Sequence, residues 1–267
     1  MSVAVRTSVG RVGFGGGRFD LVYERNLRVY RRTWQIIFSG FFEPVFYLLS
    51  IGLGIGALVG EVTVDGVAVP YKEFVAPALL ATSAMNGAVY ESTMNVFFKL
   101  KFGKIYDAML ATPLQVGDVA FGELSWCLTR GGLYAAGFLV VVTALGLVGS
   151  WWALLALPAA VLIGYAFAGV GMASTTFMKS WTDFDAVQMV VVPLFLFSAT
   201  FYPLSTYPEG VQTIVRCTPL YQGVDLLRAL LLGNVGIDAL AHVAYLAAMG
   251  TAGMIVVRRR FARLLLA

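Results

Sequence analysis

The sequence predicts an all-α membrane protein with six transmembrane helices. Of its 267 residues, 59% are hydrophobic and 13% are charged, whereas an average soluble domain is about half apolar and about one quarter charged. The mean hydropathy of +0.80 arises from apolar stretches that are too long for a globular core and long enough to cross a bilayer. These six stretches are residues 36–60, 74–97, 119–148, 151–178, 186–204 and 237–257.

The positions of the positive charges predict which way the helices run. The chain has 19 Lys and Arg residues, and a six-helix arrangement with both ends inside leaves few of them elsewhere than on the cytoplasmic side. The exceptions are Lys72, Arg216 and Arg228, which fall outside, and Arg130, which lies within the third span. Cytoplasmic connections are enriched in Lys and Arg, so we expect a multi-pass protein with cytoplasmic N- and C-termini.

Three segments follow from this arrangement. Residues 1–35 form a cytoplasmic leader and an interfacial amphipathic helix, 36–257 the six-span domain, and 258–267 a basic cytoplasmic tail. In the helix before the first span, aromatic and apolar residues recur every three or four positions with cations between them, which is typical of a helix lying in the head-group layer. Its candidate residues are Phe19, Tyr23, Arg28, Tyr30 and Trp34. A solvated basic arm is the alternative.

The connection after the second span, Phe98 to Leu124, carries three lysines, Lys99, Lys101 and Lys104, next to apolar residues. Tyr106 to Ala111 then reads as a short helix that stops at a Thr-Pro pair. We therefore expect a short amphipathic helix at the cytoplasmic membrane surface. A positively charged loop followed by a helix cap at Asp118 is an equally good interpretation.

The external connection between the fifth and sixth spans is long and apolar. It is punctuated by Pro203, Pro208 and Pro219, and the segments 211–217 and 221–232 have helical spacing but too few apolar residues to cross a bilayer. Two re-entrant helices would leave Asp225 and Arg228 at the interface and form a cap over an exit path. Such helices would bury Leu226, Leu227, Leu230 and Leu231.

Charged residues at membrane depth are costly and are candidates for function or assembly. They are Glu43, Glu91, Glu123 and Arg130. Arg130 is the deepest cation, so we expect a carboxylate partner within the protein, Glu91 or Glu123, and a structural ion pair in preference to a substrate contact. Asn86 and Asn95 are expected to form hydrogen bonds between helices.

Other polar and small residues favour structural roles. Closely packed helices are expected at the small residues Gly52, Gly54, Gly56, Gly164, Ala168 and Gly171. His242, the only histidine, is expected to be hydrogen-bonded within the fold, and Cys127 and Cys217 lie too far apart across the membrane for a disulfide. With so few ligands a metal centre is not expected. No Walker A, H-E-x-x-H or G-x-S-x-G pattern is present, so no catalytic residues are assigned.

Two segments of the chain are distinctive, YDAMLATPLQVGDVAFGEL and FLFSATFYPLSTYPEGVQTIVRCTPLYQGVDLLRALLLG. With the basic N-terminal helix and the order of the spans, they resemble the type-2 ABC exporter permeases, and the resemblance covers Phe19 to Arg263. Within the drug, lipo-oligosaccharide and polysaccharide exporter group, it most resembles the nodulation and daunorubicin-resistance permeases.

This resemblance implies a half-transporter in a bacterial inner membrane. Two permease subunits, more often a homodimer than a heterodimer, would assemble with separate ABC ATPase subunits that bind ATP and Mg; this chain itself would bind no cofactor and no nucleic acid. The short cytoplasmic helix would be the coupling helix, and the N-terminal helix a second contact. The implied ATPase contacts are Lys99, Lys101, Lys104, Tyr106 and Asp107. A double variant, Tyr106→Ala with Asp107→Arg, is expected to abolish transport without unfolding the chain.

The implied substrate is an amphipathic molecule such as a lipid-linked glycan, a lipo-oligosaccharide or a drug. A lateral path for it, or equally a lipid-facing aromatic belt, is suggested by Phe41, Phe42, Phe46, Tyr47, Tyr90, Phe97, Phe195, Phe197, Phe201 and Tyr202. The alternative from another class is a self-contained ion-coupled carrier or channel that uses Glu43, Glu91 and Arg130.

Overall fold

The computed structural model of the chain describes residues 17–31, 42–64 and 66–266, and these are mostly helical. Trp34, Phe41 and the beginning of the predicted first span lie outside the described residues. In chain order the elements are α1 (Phe19–Arg31), α2 (Phe42–Val59), β1 (Glu61–Val64), β2 (Val67–Pro70), α3 (Tyr71–Tyr90), α4 (Ile105–Leu110), α5 (Val116–Ala144), α6 (Ala156–Thr175), α7 (Asp183–Phe197), α8 (Glu209–Arg216), α9 (Pro219–Leu232) and α10 (Asp238–Leu265).

Among the described residues, four helical segments are long and apolar enough to cross a membrane. They are Phe42–Val59, Val116–Ala144, Trp151–Thr175, which includes a 3₁₀ turn before α6, and Asp238–Leu265. The other two predicted spans are helical as well, but α7 has only 15 residues and would reach about 22 Å at 1.5 Å per residue. The six-span count therefore stays a prediction.

The chain between α2 and α3 contains the one β-sheet among the described residues. Strands β1 and β2 form an antiparallel hairpin in which Glu61 faces Pro70 and Val64 faces Val67. The expectation of an all-α chain missed this hairpin, because alternating valines in a four-residue strand are too short a pattern to distinguish from a loop. We call the end of the bundle that carries it the hairpin end.

Helix α3 continues further than its predicted end at residue 97. It passes through two π-helical segments, Glu91–Asn95 and Phe98–Phe102, before the chain turns at Lys104, whose φ is +44°. The predicted connection thus begins as helix, and only α4 and the residues around it form the turn. We call this opposite end of the bundle, with α1, α4 and the last turns of α10, the basic end.

The centre of the bundle is α6, which packs against α3, α5 and α10. Its closest approach is to α10, where a Cβ atom added at Gly169 would lie 2.6 Å from the carbonyl oxygen of Gly250. Gly253 of α10 comes equally near the backbone of Gly169. Of the small residues singled out in the sequence, Gly171 also makes a close contact, with Ser92 of α3, whereas a Cβ added at Gly54 would meet no neighbour within 4 Å among the described residues.

At the hairpin end, α8 and α9 occur close to the predicted helical segments, and the four leucines of α9 expected to be buried are buried. Arg228 was expected at the interface, but it is 6% exposed and lies inside the fold. Burial is possible because the guanidinium stands 4.0 Å from the ring centre of Phe74 and donates to the carbonyl oxygen of Ala199 at 2.9 Å. Whether α8 and α9 re-enter a membrane stays a prediction.

Candidate functional site

Helix α1 lies directly on α5 at the basic end. Gly122 makes this possible, since a Cβ atom there would come within 2.5 Å of the Val22 Cβ and 2.9 Å of the Phe19 carbonyl oxygen. The rings of Tyr23 and Tyr30 face Trp126 of α5, with ring centres 6.0 and 4.8 Å apart. These two tyrosines therefore contact α5, while Phe19 is exposed. That α1 lies in the head-group layer stays a prediction.

The start of α5 is tied to the same helix. Asp118 accepts hydrogen bonds from the backbone N–H groups of Gln115, at 2.9 Å, and Arg18, at 3.1 Å. The carboxylate satisfies one free donor at the N-terminus of each helix, which is a favourable place for a negative charge. Arg28, on the outer face of α1, pairs with Glu24 on the same helix, and both side chains are exposed.

Lys99 and Glu123 form an ion pair with a 2.6 Å Nζ to Oε2 distance between α3 and α5. The lysine also donates to the side-chain oxygen of Asn26 on α1 at 3.2 Å. Only 12% of the Lys99 side chain is exposed. Lys99, expected to contact a partner, is thus engaged within the chain.

Arg130 and Glu91 form a second and deeper ion pair between α5 and α3. Glu91 also accepts hydrogen bonds from the Tyr30 hydroxyl at 3.1 Å and from the Asn95 amide at 2.6 Å. The Nε of Arg130 donates to the Tyr134 hydroxyl at 2.9 Å. Each polar group of this buried cluster has partners, which is what makes charges tolerable there.

The cluster connects three elements, because Tyr30 belongs to α1, Glu91 and Asn95 to the extension of α3, and Arg130 to α5. Glu91 is one of the two partners expected for Arg130; the other, Glu123, is occupied by Lys99. Burial, together with the nearby Glu91 carboxylate, raises the pKa of the Tyr30 phenol well above its ordinary value. The phenol therefore stays protonated as a donor.

Helix α4 has an inner and an outer face. Tyr106 is fully buried, with its ring centre 5.7 Å from that of Phe261 on α10, and Met109 is buried beside it. Lys101, Lys104 and Asp107 are exposed. Of the five implied contact residues, these three are available to a partner, whereas Tyr106 and Lys99 are turned inward.

A second turn at the basic end, residues 176–182 between α6 and α7, was not singled out in the sequence. Trp181 packs against Phe98 and Phe184, with ring centres 5.1 Å apart in both pairs. The backbone N–H groups of Lys179 and Ser180 donate to the Asp183 carboxylate, which lowers the pKa of that group. The turn therefore joins the end of α3 to the beginning of α7.

A cavity of about 450 Å³ lies between α2, α3, α5 and α7. Its lining includes Glu43, Arg130 and the aromatic residues Tyr47, Tyr90 and Phe195, all of which the sequence analysis had named. It also includes residues that were not singled out, namely Thr82, Ser83, Tyr134, Phe184 and Gln188. Separate polar residues in four helices give no local pattern, so only the packing brings them together.

The cavity opens on the side formed by α2 and α7. Glu43 and Gln188 are exposed at its rim, whereas Ser83 on α3 is buried at its inner wall. Polar groups inside an apolar bundle and rings at the rim suit a molecule with one polar and one apolar part.

The polar residues of the hairpin end form a separate group. Asp225 on α9 lies 3.2 Å from Nε2 of His242 on α10, whose Nδ1 contacts the side chain of Gln222. Pro208 and Pro219 stand at the starts of α8 and α9, where proline suits a helix terminus, and Pro203 precedes a 3₁₀ turn. The contacts of His242 hold α9 against α10.

Among the described residues, no three His, Cys, Asp or Glu side chains are grouped so as to hold a metal ion. Cys127 is buried and Cys217 is exposed, and both are free thiols.

Comparison with known proteins gives concordant matches. The family described as ABC-2 type transporter matches residues 18–232. Nodulation protein J of Rhizobium leguminosarum bv. trifolii is 35% identical over 90% of each chain. Nodulation protein J of R. leguminosarum bv. viciae is 34% identical over 87% of this chain and 89% of its own length, and that of Rhizobium meliloti (strain 1021) is 31% identical over 86% and 87%.

Proposed function

The chain belongs to the ABC-2 type transporter family, and from that premise we propose that it is the permease of an ATP-driven exporter whose ATPase is a separate polypeptide. The family makes it a membrane component of an ABC exporter. We further propose a binding surface for the ATPase, a route by which its motion reaches the membrane domain, and a class of substrate.

The observation that carries the proposal is the two-faced structure of α4. Its outer face presents Asp107, the chain just before it carries the exposed Lys101 and Lys104, and its inner face packs on α10 through Tyr106 against Phe261. A partner that binds the outer charges would move α4, and the buried tyrosine would pass this displacement to α10. We therefore assign α4 as the coupling helix.

The second route for such a displacement is α1. It is held by Gly122 packing, by the Asn26 to Lys99 hydrogen bond and by the Tyr30 to Glu91 hydrogen bond. Since Glu91 and Lys99 both lie on the extension of α3, a partner contact at α1 or α4 acts on the same segment. ATP binding in the partner would supply the difference in free energy between two states.

The proposed orientation places the basic end in the cytoplasm. Exposed cations on α1, around α4 and after the predicted sixth span favour this side. ATP and Mg would then be bound by the partner at this end of a bacterial inner membrane.

A second permease copy is proposed to cover α7. None of the residues of this helix is buried in the single chain, and Met189, Val190 and Val192 are exposed. Because α7 also borders the cavity, a second copy packed against α7 would bring the cavities of the two copies together. The path between these two cavities would then be closed off from the surroundings. We propose a homodimer, since the same exposed face on two copies is self-complementary under two-fold symmetry.

The proposed substrate is an amphipathic glycan, with its polar part in the cavity and its chain between α2 and α7. The named relatives are nodulation proteins, and the aromatic and polar lining of the cavity supports such a molecule. The alternative, an ion-coupled carrier or channel, would use Glu43, Glu91 and Arg130, but Glu91 and Arg130 are engaged with each other and Arg130 also with Tyr134.

The test is recovery of the ATPase with the tagged chain from its native membrane. Asp107→Arg is expected to reduce both the recovered ATPase and its activity about tenfold or more, since charge reversal at a contact places like charges together. The matched control is Glu209→Arg, an exposed carboxylate at the hairpin end, which should change neither.

Equal recovery of an active ATPase with Asp107→Arg would contradict the assignment of α4. Recovery of the chain alone, together with substrate uptake or ionic current from the purified chain, would contradict the exporter and support the carrier. Tyr106→Ala is left out of this test because the buried ring is part of the fold.

A further inference from the structure

The cavity between α2, α3, α5 and α7 has an unbalanced charge. Its two charged lining residues are Glu43 and Arg130. The Arg130 guanidinium is compensated by Glu91. Within the described ranges, no Lys, Arg or His side chain lies at ion-pair distance from Glu43. The wall therefore presents one uncompensated carboxylate.

Two amides add hydrogen-bonding capacity to the same wall. Asn86 on α3 and Gln188 on α7 line the cavity, and neither side chain bonds to another group in the part of the chain that the structure describes. The hydroxyls of Thr82 and Thr93, by contrast, donate to carbonyl oxygens of their own helix at 2.9 and 2.6 Å. The available polar groups thus include the two amides and the Glu43 carboxylate, together with the Ser83 hydroxyl.

Aromatic rings complete the cavity around these groups. Tyr47 and Phe195 have ring centres 5.9 Å apart, and Tyr47 lies one turn of α2 beyond Glu43. The face of a tyrosine ring attracts a cation and is neutral toward an uncharged polar group. Ring and carboxylate therefore favour the same kind of ligand.

Both the Glu43 carboxylate and the face of the tyrosine ring would disfavour an anionic ligand. A carboxylate or phosphate in the cavity would stand beside the Glu43 carboxylate, and two like charges at short distance repel each other. Arg130 gives little relief, since its charge is already compensated by Glu91 and its Nε donates to Tyr134.

We propose that the cavity binds the polar head of the exported amphiphile. A head with an amine or hydroxyl donors binds more tightly than an anionic head, and Glu43 is the residue that determines this preference. The description of the ligand as cargo rests on the proposed export function. The preference itself is a property of the single chain and is testable without the ATPase.

The experiment uses the full chain in nanodiscs of phosphatidylcholine, with empty nanodiscs as background. The probes are three dodecyl glycosides with the same tail, a glucoside, a 2-amino-2-deoxyglucoside and a glucuronide, measured by competition against the radiolabelled amino compound. The amino compound is expected to bind about tenfold more tightly than the glucuronide, with the glucoside between them.

Glu43→Gln is expected to bring the three affinities within about threefold of each other, and Glu43→Lys to reverse their order. Glu209→Gln, an exposed carboxylate of α8 far from the cavity lining, should leave the wild-type order unchanged. Glu43→Gln keeps the size of the side chain, so it remains a valid test if Glu43→Lys does not fold.

An unchanged order of affinities in Glu43→Gln would overturn the assignment of Glu43, and the absence of saturable binding by any probe would overturn the cavity as the site. Recovery of the ATPase, measured on the same wild-type preparation, separates the two proposals. Selectivity without an ATPase would contradict export but support the binding preference, whereas an ATPase without selectivity would overturn the preference alone.

Discussion

The carboxylate of Glu91 and the guanidinium of Arg130 join the extension of α3 to α5 inside the bundle, where the two residues are only 1% and 6% exposed. Tyr30 brings α1 into the same cluster through its hydrogen bond to Glu91. A buried charge that loses its partner remains buried and uncompensated. The pair is therefore more sensitive to the loss of one member than to the loss of both.

We expect Glu91→Gln to lower the free energy of unfolding by about 3–5 kcal/mol. The double variant Glu91→Gln with Arg130→Met should recover part of this loss, because it removes the orphaned cation. Thermal or denaturant unfolding in detergent measures both. A double variant that is less stable than Glu91→Gln alone would contradict this account.

The matched control for the ion pair is Glu24→Gln. Its partner Arg28 lies on the same helix, and their side chains are 53% and 75% exposed. Exposed pairs contribute at most about 1 kcal/mol, so this substitution should leave the unfolding transition nearly unchanged.

The contact of α1 with α5 is tested at Gly122. A methyl group there would meet Val22 and the backbone of Phe19, so Gly122→Ala is expected to displace α1. Hydrogen–deuterium exchange should then increase across 19–31. Gly131→Ala is the control on the same helix, because a Cβ added there meets no neighbour within 4 Å among the described residues. Equal exchange in both variants would mean that α1 does not depend on this contact.

Alkaline pH tests the burial of Tyr106. Burial, with the nearby Glu123 carboxylate, raises the pKa of its phenol well above the ordinary value, which is about 10 in an unfolded chain. Above that pH the unfolded chain releases a proton that the native protein keeps, so native stability falls by up to about 1.4 kcal/mol per pH unit. Below pH 10 this contribution is constant.

Tyr106→Phe removes the titrating group and keeps the ring that packs on Phe261. The difference in unfolding free energy between wild type and this variant should be constant from pH 7 to about 9.5 and then change in favour of the variant. A difference that stays constant through pH 11 would show that Tyr106 ionises equally in both states. Tyr106→Ala, by contrast, is expected to cost about 3–5 kcal/mol through the cavity it leaves.

Much of this structure follows from local sequence patterns. The four long helices coincide with predicted spans, and α1, α4, α8 and α9 begin and end near the predicted positions, because periodicity and proline positions are local signals. Arg130 is paired with one of its two expected partners, because few carboxylates fall within the predicted spans.

The remainder depends on packing between segments that are far apart in sequence. Arg228 appeared interfacial because no local pattern shows that Phe74 would lie beneath it. Lys99 and Tyr106 sit in a basic, amphipathic segment whose pattern does not show which face turns inward. The cavity combines residues of four helices, from Glu43 to Phe195, and no short window contains them.

The crossing of α6 and α10 also could not be located from the sequence, and it can be tested by substitution. The sequence suggested close packing at Gly164, but a Cβ there would make ordinary contacts, 3.7 Å from Leu128 and 4.0 Å from Ala88. At Gly253 the added Cβ would lie 2.4 Å from the carbonyl carbon of Gly169, and backbone cannot move aside as a flexible side chain can.

We expect Gly253→Ala to destabilise the bundle by about 1–3 kcal/mol through overpacking. Gly164→Ala should be neutral or stabilising by up to about 1 kcal/mol, since alanine is the better helix former. Unfolding of both variants in the same detergent measures the difference, and equal stabilities would mean that α6 and α10 do not approach each other as closely as the structure shows.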